Sequence, residues 1–152
     1  MHYSGLTPQI STDMRAGGVD AFGNAAEHAT SSGTGTPCRH CLRTIPKGDA
    51  FLIFAHKPFT TTQPYSEIGP IFLCSADCPA PSGALPEVLT ASPDYLLKAY
   101  SADERIIYGT GAITPAAEVE PYAASLLERR DVAFVDVRSA KNNCWLTRIT
   151  RS

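Results

Sequence analysis

The sequence predicts an α+β domain built on a mainly antiparallel sheet, with a few short helices. Three observations point to it. "DVAFVDVRS" and "NCWLTRITR" are apolar-rich segments joined by "AKNN", the pattern of a C-terminal hairpin. Phe51 to Phe54 form a continuous apolar run after the turn "PKGD", which reads as a short buried strand. "EPYAASLLERR" places Tyr122, Ala123, Leu126 and Leu127 on one stripe, with Pro121 near its start, and predicts a helix over about 120–130. The 152 residues fit one domain, 1–152.

Taken in order, residues 1–36 are weakly apolar and are expected to be irregular and mobile, or to drape over the core. A short helix or turn fits Pro8 to Arg15, and "EHATSSGTGTP" reads as a flexible Ser/Gly/Thr loop. Residues 37–80 hold the strand "DAFLIFAH", the loop "KPFTTTQPYSEIGP" and a second short strand, "IFLC". Pro58, Pro64 and Pro70 argue against regular structure in that loop. Residues 81–152 form an α/β remainder. "SPDYLLKAY" carries helix-start chemistry: Ser92 can cap, Pro93 suits the first turn, and Asp94 complements the positive helix end. "ERIIYGTGAI" reads as a strand interrupted by glycines, and its G-x-G lacks the third glycine and helix of a dinucleotide site.

Four of the five cysteines fall in two clips, Cys38 with Cys41 in "PCRHCLR" and Cys74 with Cys78 in "IFLCSADCPA". Each clip can fold as a tight turn aiming two thiolates at one point. A structural zinc takes four such ligands in a tetrahedron. The 32 residues between Cys41 and Cys74 are no obstacle, because loop closure costs grow only logarithmically. Binding a structural zinc supplies on the order of 10–16 kcal/mol, against about 2–4 kcal/mol for a disulfide. The favoured reading is therefore a structural zinc on Cys38, Cys41, Cys74 and Cys78, with residues 37–80 as a zinc-binding lobe resembling a zinc knuckle. Redox chemistry at Cys38 and Cys41 is disfavoured, since Pro46 and Gly48 exclude the long helix that activates a thioredoxin-type thiol. Free thiols or one disulfide between the clips remain open. His40 is expected to point outward from its clip, and His56 to be a hydrogen-bonded histidine rather than a ligand.

The net charge of −2 shows no basic excess, so nucleic acid is not expected as a partner. No apolar run is long enough to span a membrane, and "MHYSGLTPQI" does not read as a secretory signal. The expected setting is cytoplasmic, where paired cysteines more often hold metal than form disulfides. Outside the clips, Tyr65 and Glu67 sit on the long loop. Strand alternation puts Asp136 and Arg138 on one face, with Val135 and Val137 on the other. Asp136, Arg138, Lys141, Arg148 and Arg151 of the hairpin suit an anion-binding patch or, more commonly, a solvated sheet face with exposed ion pairs. Cys144 is alone, and as a nucleophile it would need a histidine base.

These segments together resemble an uncharacterised bacterial family, domain-of-unknown-function family 1203. The resemblance rests on "PCRHCL", "PF…QPYSEIGPIFLC", "YSADERIIYGTGAI" and "VRSAKNNCWLTRITR", in that order, between Pro37 and Arg151. It implies a coherent fold and carries no assigned activity. It also implies that histidine can replace Cys74, that some relatives lack the second cysteine of the first clip, and that Cys38, Arg39 and Cys144 fit the wider pattern. The expected function is that of a zinc-stabilised binding domain for a protein partner or a small anionic ligand. Arg39, Tyr65, Glu67, Arg138 and Cys144 are its candidate ligand-binding residues. Two alternatives stand beside it. One is an enzyme with a pocket between the 57–67 loop and the C-terminal hairpin. The other is a nucleic-acid-binding zinc module with a basic face at Arg39, Arg43 and Lys47.

Overall fold

The structure is a computed structural model that describes all residues, Met1–Ser152. It is α+β, with two antiparallel sheets rather than one. The larger sheet has the order β1-β8-β7-β5-β6, with β1 His2–Ser4, β5 Asp94–Tyr100, β6 Ala112–Pro115, β7 Phe134–Ser139 and β8 Trp145–Thr150. The smaller has the order β2-β3-β4, with β2 Glu27–Thr30, β3 Ala50–His56 and β4 Gly69–Cys74.

Alternation along the central strands builds the main core. Tyr95, Leu97 and Ala99 of β5, Val135 and Val137 of β7 and Ile149 of β8 point to one face. Helix α2 (Val119–Leu127) covers that face with Val119, Ala123, Leu126 and Leu127. The expected C-terminal hairpin is present as β7 and β8, with a register shift between Val137 and Arg138. The other face is not solvated. The proline-rich loop lies over it, so Asp136 is fully buried and Arg138 is 4% exposed. Phe59 from the loop packs on Tyr100 and Phe134 there.

Three segments depart from expectation. "SPDYLLKAY" is strand β5, not a helix. Its start carries helix-capping residues, but Tyr95, Leu97 and Ala99 alternate with Leu96, Lys98 and Tyr100, and pairing with β6 and β7 on both sides outweighs the local signal. "ERIIYGTG" is an irregular excursion, and β6 begins only at Ala112. Glu104 there has φ 62° and Gly109 φ 87°, and the Thr110 hydroxyl accepts the Ala99 N–H in place of a ladder carbonyl. The first 36 residues are largely ordered rather than irregular. β1 pairs with β8, α1 (Pro8–Arg15) is capped by Thr7, and β2 pairs with β3 inside the stretch read as a loop. The small sheet thus reaches upstream of residue 37. At its other end Pro70 joins β4, an edge strand where a missing N–H is tolerated.

The two sheets are tied by the first clip and the N-terminus. Leu6 N–H donates to Arg39 O at 2.7 Å. The approach is so close that a Cβ on Gly5 would lie 2.0 Å from that oxygen, so this position requires glycine. The small sheet, α1 and the clips share a second core containing Met14, Cys38, Ile45, Phe51, Phe54, Ile71 and Leu73.

Candidate functional site

The first clip is a tight turn. Leu42 N–H donates to Cys38 O at 3.0 Å, and Cys38 N–H to Arg43 O at 2.9 Å. Leu42 takes the left-handed conformation, φ 57°, at the position where glycine would be the unstrained choice. Its side chain is fully buried in the main core, which offsets the cost of that backbone. Arg39 N–H donates to Phe72 O and joins the clip to β4. The second clip begins at the end of β4, where Cys74 pairs with Phe51.

The four thiols of Cys38, Cys41, Cys74 and Cys78 converge, with all sulfurs within 4.8 Å of one another and Cys38 Sγ 3.9 Å from Cys78 Sγ. Metal–sulfur bonds of about 2.3 Å in a tetrahedron require sulfurs about 3.8 Å apart, so the cluster could hold a metal ion and is compatible with zinc. Thiol hydrogen bonds from Cys41 and Cys74 hold Cys38 far below the usual thiol range. The same bonding pushes Cys41 up to about 12, and it raises Cys74 as well. Burial raises Cys78. Thiolates this close repel one another, so a bound cation would be needed for all four to carry charge. Cys74 N–H points at Cys38 Sγ at 3.4 Å. Arg15, the last residue of α1, donates from Nη2 to Cys78 Sγ at 3.1 Å and from Nε to Cys74 O at 2.9 Å. Arg15 was invisible in the sequence because 59 residues separate it from Cys74. His40 stays outside the cysteine cluster and is buried, with Nδ1 2.9 Å from Leu6 O.

Arg39 turns away from the sulfurs. It is 3% exposed, and its guanidinium donates to two carbonyls, Nε to Trp145 O and Nη1 to Pro37 O, both at 2.7 Å. No carboxylate pairs with it, and the ring of Phe72 lies 5.7 Å from its charge centre. Burial pushes its pKa down to about 10, against the pull of Cys144 and Cys38, so it stays charged at neutral pH. Arg39 lines a cavity of about 330 Å³ together with Thr36, Thr44, Asp94, Lys141, Asn142 and Cys144.

A second cavity of about 220 Å³ lies under the proline-rich loop. His56, Glu67, Arg138, Asn142, Cys144 and Trp145 line it. Glu67 Oε2 is 2.6 Å from Arg138 Nη2, and Glu67 Oε1 is 3.4 Å from Lys98 Nζ. Burial, helped by the nearby charges of Arg148 and Arg39, lowers His56 to about 4, so its ring is neutral at pH 7. Of the candidate residues, Glu67, Arg138 and Cys144 meet at this cavity and Arg39 and Cys144 at the first. Tyr65 lines neither cavity. It faces Tyr108, with ring centroids 6.3 Å apart, and Arg105. Arg39 is too buried to form a basic face with Arg43 and Lys47. The loop is pinned by Glu104, whose carboxylate accepts from the N–H and hydroxyl groups of Thr60 and Thr61.

Fold and site together define a small α+β domain with a four-cysteine cluster of metal-binding geometry beside a cleft holding a buried arginine. The chain belongs to the DUF1203 family, described as a protein of unknown function, whose match covers residues 35–151. No curated protein and no solved structure gives a significant match. No helix is long and apolar enough to cross a membrane.

Proposed function

We propose that this protein is a zinc-stabilised binding domain whose ligand is a small anion seated on Arg39. The observation that carries the reading is the Arg39 guanidinium. It is almost fully buried, it is answered by two carbonyls and the face of Phe72 but by no carboxylate, and its Nη2 has no protein acceptor. A buried charge is costly without a counter-charge, so a carboxylate or phosphate entering the cavity gains a strong charge-assisted contact. Thr44 and Lys141 line the same space and can add donors, while the Thr36 hydroxyl is already bonded to Ser31 and Ile45 O. The zinc, held by Cys38, Cys41, Cys74 and Cys78, is structural: four thiolates leave no coordination position for water. It fixes the clip that carries Arg39. The proposed setting is the cytoplasm, where thiolates remain available for the metal.

Two measurements test this. Protein purified without added metal should carry one zinc per chain, and free titratable thiols at all four positions would overturn the metal assignment. Titration with inorganic phosphate, followed by Trp145 fluorescence, should saturate with a Kd of about 1 mM or tighter. Arg39→Met should abolish it. No response to phosphate, sulfate or small carboxylates would overturn the anion site.

A further inference from the structure

Cys144 stands at the junction of the two cavities. It lines both, as do Asn142 and Pro70. Its thiol is half-buried, and its only hydrogen bond is a long one, 3.6 Å, to Asn142 O. The turn that presents it is fixed. Asn143 is left-handed at φ 58°, Asn143 N–H donates to Ser139 O, and Arg138 Nη1 donates to Asn143 O at 3.0 Å. Two buried guanidiniums flank the junction. Arg39 lines the first cavity and its Nη2 makes no hydrogen bond, while Arg138, 4% exposed, lines the second, where Glu67 meets its Nη2 and its Nε has no acceptor. A cysteine alone would carry no role. A cysteine beside a buried cation that no carboxylate pairs, at the junction of two cavities sized for a small ligand, is placed to meet an anion that Arg39 attracts.

We propose that Cys144 is a nucleophilic thiol that attacks a small electrophile whose carboxylate or phosphate is seated on Arg39. The inference rests on the anion site proposed above and adds the reacting group. No histidine accepts a hydrogen bond from the thiol, so in the step its proton leaves to solvent rather than to the base expected above, and Sγ forms a bond to the electrophilic carbon of the ligand. The bond from that carbon to its leaving group breaks, and the leaving group departs with the electron pair. The substrate class is a small carboxylic or phosphoric acid bearing a displaceable group near its anionic end. Arg39 is a binding residue that orients this end, and no other cysteine lines either cavity, so the thioether is the product of the step.

Iodoacetate and iodoacetamide are the probes, since both alkylate thiols and only the first is an anion. The zinc-loaded protein is treated with each, and the rate at Cys144 is followed by peptide mass mapping. A peptide of residues 142–146 supplies the intrinsic ratio of the two rates. Focusing of an anion by a charged cleft raises encounter by about tenfold or more. The iodoacetate-to-iodoacetamide ratio at Cys144 should therefore exceed the peptide ratio by about tenfold. Arg39→Gln should return it to the peptide value. Because that variant could misfold, the wild-type protein carries a second arm, in which inorganic phosphate should slow carboxymethylation of Cys144. A ratio equal to that of the peptide, with phosphate giving no protection, overturns the inference. Phosphate binding to Cys144→Ser separates the two ideas. If it persists while Cys144 shows no anion preference, the anion site stands and the nucleophile falls. If it is absent in wild type and variant alike, the anion site itself falls.

Discussion

The two sheets are held by different means. The larger one buries a 16-residue apolar cluster under α2 and locks its far face with ion pairs. The smaller one gathers a 10-residue cluster, of which Cys38 and Cys41 are members, around four mutually adjacent thiols. A lobe that small has little apolar area to offset its chain entropy, so a metal on the sulfurs, as proposed, would contribute much of its order. The sharpest way to break the comparison is to remove the zinc proposed for the four cysteines. Structural zinc contributes on the order of 10–16 kcal/mol in small domains. Chelation, or Cys41→Ser, should strip amide protection from β2, β3, β4 and residues 37–45, and leave the slowest-exchanging amides of β5 and β7 in place. Hydrogen exchange read by mass spectrometry checks this. Uniform loss across both sheets would show that the lobes are a single cooperative unit.

The next largest effect belongs to the larger sheet. Asp136 is fully buried, and Arg148 meets both its oxygens, at 2.7 and 3.0 Å. Arg148 also lies 3.6 Å over the Phe134 ring and donates to Pro58 O, so it joins sheet and loop. Removing one partner of a buried pair costs about 3–5 kcal/mol, whereas replacing both can be nearly neutral. Arg148→Met should lower the urea midpoint sharply, with Asp136→Leu/Arg148→Met recovering most of the loss. If the single and double variants are equally unstable, the pair is not what holds the loop to the sheet.

The contrast between lobes also explains what could be read in advance. The clips and the hairpin were legible because their information is local: two cysteines three or four apart, two apolar segments four residues apart. β3, β4 and α2 were legible for the same reason. β5 was not, because Ser92, Pro93 and Asp94 announce a helix, while the decision for a strand comes from β6 and β7 on either side. β1 was missed because its partner β8 lies at the opposite end of the chain. Asp136 and Arg138 were placed correctly on one face, but nothing local reveals that a loop carrying Phe59 and Glu67 would bury that face. Arg15 and Glu104 entered the picture only through such long-range contacts, and His56, expected to be hydrogen-bonded, instead packs its ring on Trp145.

His56 lies at the meeting of the lobes, at the end of β3, with its ring 5.5 Å from that of Trp145 in β8. Its pKa is lowered to about 4 from 6.5, first by burial and then by the charges of Arg148 and Arg39. Between these values the unfolded chain binds a proton that the folded one refuses. Stability from this residue is therefore complete above about pH 6.5 and is lost as pH falls toward 4, by up to about 3 kcal/mol. His56→Gln should flatten that part of the stability profile. Equal slopes for wild type and variant between pH 4 and 6.5 would mean that His56 protonates without disturbing the lobe junction.

The smallest effect concerns the loop that roofs the second cavity. Burial pushes Glu104 upward, but the donors of Thr60 and Thr61 outweigh it and hold the carboxylate below its usual range. A depressed carboxylate gives stability that is present above its unfolded value and lost as pH falls below it. Bonds to an ionised acceptor contribute about 1.5–3 kcal/mol, and Glu104→Gln keeps the shape while removing the charge and one acceptor oxygen. The expected cost is therefore about 1–2 kcal/mol, below that of Arg148→Met. Its distinctive sign is local. Residues 58–67 should exchange faster while β7 and β8 do not, because the charge sits at the loop and the sheet keeps its own pairs. Glu104 also occupies φ 62°, so Glu104→Gly relieves backbone strain while deleting the same hydrogen bonds. If Gly proves no better than Gln, the carboxylate bonds dominate this corner. If Gly is the more stable, the loop was being held at the expense of the backbone that carries its clasp.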